Sequence, residues 1–330
     1  MAETVKLASV GLGWWGNVLA EAAAETGRAE IASCYARTPE TRAEFAAKLG
    51  CADVGSFEEI LTDDGIDGVV LATSHRSHRP LIEQAAAAGK HVFVEKPLTL
   101  TVADAKAAVA AAETAGVILQ VGHQRRRMTA NRRIKAMIEA GDIGDVEVIE
   151  THQSVPNGHK MPAEAWRWTA EESPLGGMTS LGIHKIDTLS YLGGPIKNVH
   201  TFTRAGRNVS IDEMTVVNIE FESGALGTLV TSFFTPMMSR VAAVGTAGSA
   251  FMEGDGRMLF YQAIDEPMRS QVDIEPNNPI VDQLDEFVRA IQGETEPETD
   301  GPVGLEAVSV MAAAVESAAT GRTVSVADHR

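Results

Sequence analysis

The chain has 330 residues, 44% of them hydrophobic and 22% charged, the composition of a globular protein with one large or two medium domains, and this excludes disorder for its bulk. A formal net charge of -17 argues against duplex nucleic acid or an anionic membrane as partner, because such a surface needs a basic stripe; Arg125-Arg126-Arg127 with Arg132-Arg133 is the local exception. No apolar run approaches the roughly 20 residues of a membrane span, and Met1-Ala2-Glu3-Thr4 leads into a strand without a basic signal head, so a cytoplasmic location is expected.

From Val5 to Val121 apolar strands alternate with Ala-rich helical stretches. Strands are predicted at Lys6-Val10, Glu30-Tyr35, Gly68-Ala72, His91-Val94 and Val117-Val121, with helices at Trp14-Ala24, Glu40-Leu49, Leu81-Ala88 and Val102-Ala115. Gly50, Gly89 and Gly116 each follow a helix, as left-handed caps do. This alternation is the pattern of an α/β doubly wound parallel sheet, expected over residues 1-122. Cys34 and Cys51 are read as small buried hydrophobes and not as a disulfide or a metal pair.

After Gly122 the rhythm changes. A helix around Ala130-Ala140 is followed by runs with hairpin punctuation: Met214-Glu222, the turn Ser223-Gly224 and Ala225-Phe233, then Arg240-Val244, Ser249-Glu253 and Met258-Gln262. Residues 123-330 are therefore expected to form an α+β domain with a mostly antiparallel sheet. Two late helices, Pro279-Ile291 and Leu305-Ala319, flank a Glu-, Thr- and Pro-rich loop from Gly293 to Gly301.

Gly11-Leu12-Gly13-Trp14-Trp15-Gly16 lies between the first strand and the first helix, which is the context that gives a GxGxxG pattern its value. Gly11 permits the tight turn, Gly13 lets backbone approach a pyrophosphate, and Gly16 lets helix pack on strand, while the helix N-terminus supplies N–H groups to the phosphates. About twenty residues beyond Gly16, where an NAD enzyme carries a carboxylate for the ribose 2'-hydroxyl, this chain has Ala36, then Arg37 and Thr38. Without the acid there is no repulsion toward a 2'-phosphate, and guanidinium and hydroxyl can bind it; NADP is favoured, with NAD the other option.

Lys96 stands in Glu95-Lys96-Pro97 directly after the strand His91-Val94. An amine at a strand's carboxyl end in this fold would lie beside the nicotinamide, where it can orient or deprotonate an alcohol. His184 is the second proton-transfer candidate, since Asp187 three residues on shares its helix face over Thr179-Leu192 and can orient an imidazole. For Arg125 and Arg126, salt bridging at a helix start, as a solvated charge run, is preferred to binding an anion.

Together the Gly11-Gly16 turn, Ala72-Thr73-Ser74 with His78, Glu95-Lys96-Pro97, Gly122-His123-Gln124-Arg125-Arg126, and the run from Gly176 through His184 to Asp187 resemble the glucose-fructose oxidoreductase / inositol dehydrogenase / rhizopine-catabolism (Gfo/Idh/MocA) family over nearly the whole chain. The resemblance implies a Rossmann domain plus a domain whose open sheet mediates oligomerisation, as a homodimer or homotetramer. It implies that Lys96 acts near the reacting hydroxyl, that Pro97 follows a cis peptide bond, that Glu95 holds the nicotinamide ribose, and that Gln124 lies near the nicotinamide. Thr73 and His78 would line the cofactor, or His78 caps the next helix; Trp14 and Trp15 belong to the cofactor turn. Many relatives carry aspartate where this chain has Ser180, a residue that can hydrogen-bond a substrate hydroxyl but holds no charge.

His152, Asn157, His159, Trp166 and Arg167, on a strand end and the long connection after it, are the further substrate-binding candidates, beside Lys96, Ser180, His184 and Asp187. The irregular spacing of the histidines speaks against a metal. The expected activity is reversible hydride transfer between NAD(P) and a secondary alcohol of a sugar, cyclitol or related polyol. Two alternatives stand beside it: glycoside cleavage through transient sugar oxidation, and a non-enzymatic dinucleotide-sensing regulator.

Overall fold

The computed structural model describes residues 4–162, 165, 168–206 and 211–330. The chain divides into two compact units, the first made of Met1–Gln124 with Asn278–Leu305, the second of Arg125–Asn277 with Glu306–Arg330.

In the first unit the strands are β1 (Val5–Val10), β2 (Ala29–Tyr35), β3 (Ala52–Asp53), β4 (Gly68–Leu71), β5 (His91–Val94) and β6 (Leu119–Val121). Among the described residues they form one sheet in the order β3-β2-β1-β4-β5-β6, with every pairing parallel. This is the doubly wound order, and its reversal point between β1 and β4 is where such sheets bind ligands, outside the strands' carboxyl ends. All four residues of β4 are buried, as a strand covered on both faces requires.

Helices α1 (Trp14–Glu25), α2 (Pro39–Leu49), α3 (Phe57–Leu61), α4 (His78–Ala87) and α5 (Val102–Ala115) occupy the connections. Their ends follow local chemistry: Thr101 Oγ1 accepts the Asp104 N–H at 3.1 Å to start α5, and Gly50, Gly89 and Gly116 take the positive φ predicted for helix ends. Cys34 is buried and Cys51 directly precedes β3; both are free thiols. Burial, with Cys51 close by, pushes the Cys34 thiol up to about 12.

The second unit is built on a sheet, nine-stranded among the described residues. Its strands are β7 (Val146–Ser154), β8 (Ile196–Ala205), β9 (Asp212–Phe221), β10 (Leu226–Ser232), β11 (Met238–Gly245), β12 (Gly248–Glu253), β13 (Met258–Ala263), β14 (Ser270–Val272) and β15 (Val324–Ser325), in the order β14-β13-β12-β11-β7-β10-β9-β8-β15. The β9–β10 hairpin forms as predicted, antiparallel around a positive-φ Gly224, whereas β10 runs parallel to β7. Burial alternates along β9 and β12, so one face is covered and the other is only partly buried. Helices α6 (Thr129–Glu139) and α7 (Ile183–Gly193) share the covered core, which holds Ile134, Ile149, Ile186, Leu189, Phe221 and Leu229. Burying each such side chain contributes about 1.5–3 kcal/mol.

One expectation about domain limits is corrected. The boundary near Gly122 and His123 lies close to Gln124, where the first unit first ends, but residues 278–305 do not join the second domain. Helix α8 (Pro279–Ile291) carries Leu284, Phe287, Val288 and Ile291 at i, i+3, i+4 and i+7, and this stripe enters the core that holds Leu19, Ala23 and Phe93. The Phe93 and Phe287 rings meet edge-on at 5.8 Å, and Gln120 Nε2 donates to the Gln283 carbonyl at 2.9 Å. A stripe of this kind states that a core exists, not which one.

Among the described residues one helix, α9 (Gly301–Thr320), is long and apolar enough by composition to cross a bilayer, with mean hydropathy 1.3 over 18 residues, contrary to the expectation that none would be. Half of that stretch is buried, and Ala307, Val310, Met311 and Ala314 belong to the second unit's core.

Candidate functional site

The turn after β1 has the geometry that its glycines predict. Gly11 sits at φ 90°, and a Cβ there would lie 2.5 Å from the Ala72 carbonyl oxygen; one on Gly16 would lie 2.0 Å from the Gly11 oxygen. A Cβ on Gly13 would meet nothing within 4 Å. Open space therefore stands over the N-terminus of α1, whose first turn has no acidic residue and no side-chain cap. Unpaired N–H groups beside open space make an anion cradle, and a pyrophosphate fits it. Trp14 projects outward, 77% exposed, while Trp15 turns toward Glu95.

At the end of β5, Glu95 is buried and its Oε2 accepts the Lys96 backbone N–H at 3.3 Å. Gly122 makes room for it, since a Cβ there would lie 2.6 Å from Glu95 Oε1. Burial raises the Glu95 pKa, opposed by the Lys96 ammonium and the Trp15 indole N–H. The indole is near enough to favour the carboxylate without closing a bond of normal geometry. Glu95 Oε1, Gln124 Oε1 and Trp15 Nε1 are all buried without a hydrogen-bond partner. Such groups are costly unless something satisfies them, and a bound ribose and carboxamide offer the matching donors and acceptors. A nicotinamide dinucleotide therefore fits the residues present.

Lys96 is half-buried, and the Lys96–Pro97 peptide is cis, as the family resemblance implied. Thr73, at the end of β4, accepts a hydrogen bond from Ser77 Oγ at 2.8 Å. His78 is fully buried with its ring turned inward: Nδ1 lies 3.0 Å from the Pro97 carbonyl and Nε2 3.3 Å from that of Thr73. It is the first residue of α4, and both of its ring nitrogens face backbone carbonyls. At the end of β2, Arg37 and Thr38 are exposed, and Thr38 precedes α2 without a side-chain capping bond.

In the second unit the predicted helix Thr179-Leu192 is broken into a π-turn, Met178–Gly182, followed by α7. Its i→i+5 bonding rotates Ser180 away from the position it would hold on an uninterrupted α-helix, a distortion that recurs at functional sites. His184, on the first turn of α7, is buried. Asp187 was expected to bind substrate or orient His184. Its Oδ1 and Oδ2 each accept from Arg126 Nε at 3.2 Å, and Arg126 Nη2 also bonds Oδ1. The Arg126 guanidinium lies over the Tyr191 ring at 5.1 Å. Asp187 is 2% exposed, so its carboxylate anchors the helix to Arg126. The arginine run, expected to be solvated, is largely buried at Arg126 and Arg127, although the expected salt bridging does occur.

Lys185 was not singled out from the sequence. It is fully buried, with Nζ 3.4 Å from Ser239 Oγ, and burial, together with the charge of Arg125, pushes its pKa down to about 7 against the pull of Asp255. Arg125 and Asp255 form an ion pair beside it. The only local hint was a lysine on the otherwise apolar side of a short helix.

His152, near the end of β7, has Nε2 2.5 Å from Ser154 Oγ, and burial with the charges of Lys185 and Arg240 lowers its pKa. Asn157 and His159 are exposed, with His159 Nε2 3.1 Å from the Phe234 carbonyl. Trp166 and Arg167 lie outside the described residues.

Residues 5–123 match the family model described as oxidoreductase family, NAD-binding Rossmann fold (GFO_IDH_MocA), and residues 131–251 match the GFO/IDH/MocA C-terminal domain. The 1,5-anhydro-D-fructose reductase of Ensifer adhaerens is 29% identical over 310 residues, covering 90% of this chain and 91% of that protein. The scyllo-inositol 2-dehydrogenase (NAD(+)) of Bacillus subtilis is 35% identical over 205 residues, covering 59% of this chain and 57% of that protein. A crystal structure of an oxidoreductase from Desulfitobacterium hafniense superposes with a TM-score of 0.95 at 28% identity, covering 100% of this chain and 99% of the other. With a dinucleotide cradle in one unit and family matches across both, the chain belongs to the GFO/IDH/MocA family and is an NAD(P)-dependent dehydrogenase or reductase acting on CH–OH groups.

Proposed function

We propose that this enzyme transfers a hydride reversibly between NAD(P) and a secondary alcohol of a sugar, cyclitol or related polyol, with Lys96 and His184 handling the hydroxyl proton. The observation that carries the proposal is that the Gly11–Gly16 turn, Thr73 and Glu95-Lys96 follow β1, β4 and β5 at one end of a single parallel sheet. The bound nicotinamide supplies the hydride acceptor or donor. Lys96 then stands where an alcohol proton must leave or return, and Glu95 and Gln124 offer hydrogen bonds to ribose and carboxamide. Names of relatives that act on an anhydro-sugar and on an inositol favour a polyol. Steady-state absorbance of the reduced nicotinamide across a panel of sugars and cyclitols tests this. Turnover with at least one secondary alcohol is expected; tight cofactor binding with no net reduction for any of them would refute it.

For the cofactor we infer a preference for NADP. Arg37 is exposed next to the start of α2, which has no side-chain cap and carries Glu40 in its first turn, and Ala36 stands where an NAD enzyme carries its carboxylate. Losing a charge-assisted hydrogen bond is worth about 1.5–3 kcal/mol, so Arg37→Asp is expected to weaken NADP binding by roughly 10- to 100-fold and move preference toward NAD. Fluorescence titration with NADPH and NADH measures the ratio, and an unchanged ratio would dismiss the role of Arg37.

A further inference from the structure

We propose that His78 is a positioning residue for Lys96, one buried ring that ties the loop after β4 to the turn that carries the lysine. His78 Nδ1 lies 3.0 Å from the Pro97 carbonyl oxygen and 3.2 Å from that of Leu98, while Nε2 lies 3.3 Å from that of Thr73. Because His78 opens α4, just after β4 and its loop, its Nδ1 side ties that segment to the turn after β5, while Nε2 only faces the Thr73 carbonyl. Lys96 is bonded directly to Pro97, so holding the Pro97 and Leu98 carbonyls restrains the turn from which the lysine side chain leaves.

A neutral imidazole carries one N–H, and the proton belongs on Nδ1, where two acceptors stand and the nearer is the closest of the three. Burial lowers the His78 pKa against the opposing pull of the Pro97, Thr73 and Leu98 carbonyls, with the charge of Lys96 adding to the fall, in keeping with a ring that stays neutral. A carbonyl held by a buried donor cannot swing without leaving both groups unsatisfied, and that locks the turn. The role is indirect, through the Pro97 carbonyl.

The inference rests on Lys96 handling the proton, and three replacements separate it from that reading. His78→Asn keeps a donor near the Nδ1 position, His78→Gln moves it toward Nε2, and His78→Leu removes it. Misplacing a reacting group by about 1 Å costs on the order of 10²-fold in rate. Turnover is accordingly expected to fall by about that factor in the Gln and Leu variants, to stay within about fivefold of the parent in His78→Asn, and to leave NADPH affinity within about threefold throughout. Equal losses in Asn and Gln variants, or affinity falling in step with turnover, would overturn the assignment.

Two measurements need no substrate. In ¹⁵N-histidine NMR of the full chain, His78 is expected as the neutral Nδ1–H tautomer; an Nε2–H signal contradicts the proposal. The Lys96 amine, followed by ¹³C NMR after reductive methylation, is expected to shift its titration in His78→Leu but not in His78→Asn, and an unchanged titration in both also contradicts it. If no polyol is turned over, the proposed activity fails, while these two spectra still decide the role of His78.

Discussion

Replacing Lys96 with alanine is expected to lower turnover by about 10³-fold or more while leaving NAD(P)H affinity within a few fold. Proton transfer by a positioned side chain contributes roughly 10²–10⁴-fold, and under the proposed mechanism one of its two proton-handling groups is removed outright. The cofactor cradle survives the change, because its parts lie elsewhere: the space over Gly13, the open start of α1, and the buried oxygens of Glu95 and Gln124. Glu95 loses a cation that lowers its pKa and drifts further up, which would weaken the hydrogen bonds proposed for it to the ribose only modestly. Single-turnover kinetics with dissociation constants from fluorescence quenching make the comparison. Parallel loss of turnover and affinity would mean that the lysine is a structural part of the turn.

Asp187→Ala is expected to cost about 3–5 kcal/mol of stability in the second unit, the usual consequence of removing one member of a buried ion pair. Arg126 and Asp187 are 7% and 2% exposed, and the guanidinium makes its Nε and Nη2 bonds to this one carboxylate. Adding Arg126→Met to Asp187→Ala should recover much of the loss, because an apolar side chain of similar length needs no counter-charge. Urea unfolding of the three variants measures both effects. A midpoint for Asp187→Ala equal to that of the parent chain would show that water or a neighbour replaces the carboxylate.

How far the site could be read in advance varies with the distance over which its chemistry acts. The glycine turn was legible because Gly11, Gly13 and Gly16 answer to constraints within six residues and the strand beside them. The cis Lys96–Pro97 bond followed from resemblance, not from any local signal. Arg126 and Asp187 are 61 positions apart, and nothing in either neighbourhood announces the other. Lys185 reads as one more cation on a short helix; only the packing of Ser239, Arg125 and Asp255 around it makes it a buried amine. The π-turn was hidden as well, since Met178–Gly182 has the composition of an ordinary helix start.

Although α4 and α9 begin three and four residues earlier than predicted, the amino-acid order taken alone determined the parallel alternation of the first unit, the glycine caps at Gly50, Gly89 and Gly116, the β9–β10 hairpin and the glycine turn after β1. Each of these is set by periodicity, capping and φ preferences acting over a few residues. Tertiary structure decided that α8 returns to the core of the first unit, that β7 lies beside β10 in parallel, that His78 faces inward, and that Asp187 meets Arg126. The reason is that a hydrophobic stripe or a charge specifies only the kind of partner it needs, while the partner itself is chosen when distant segments compete for the same buried surface.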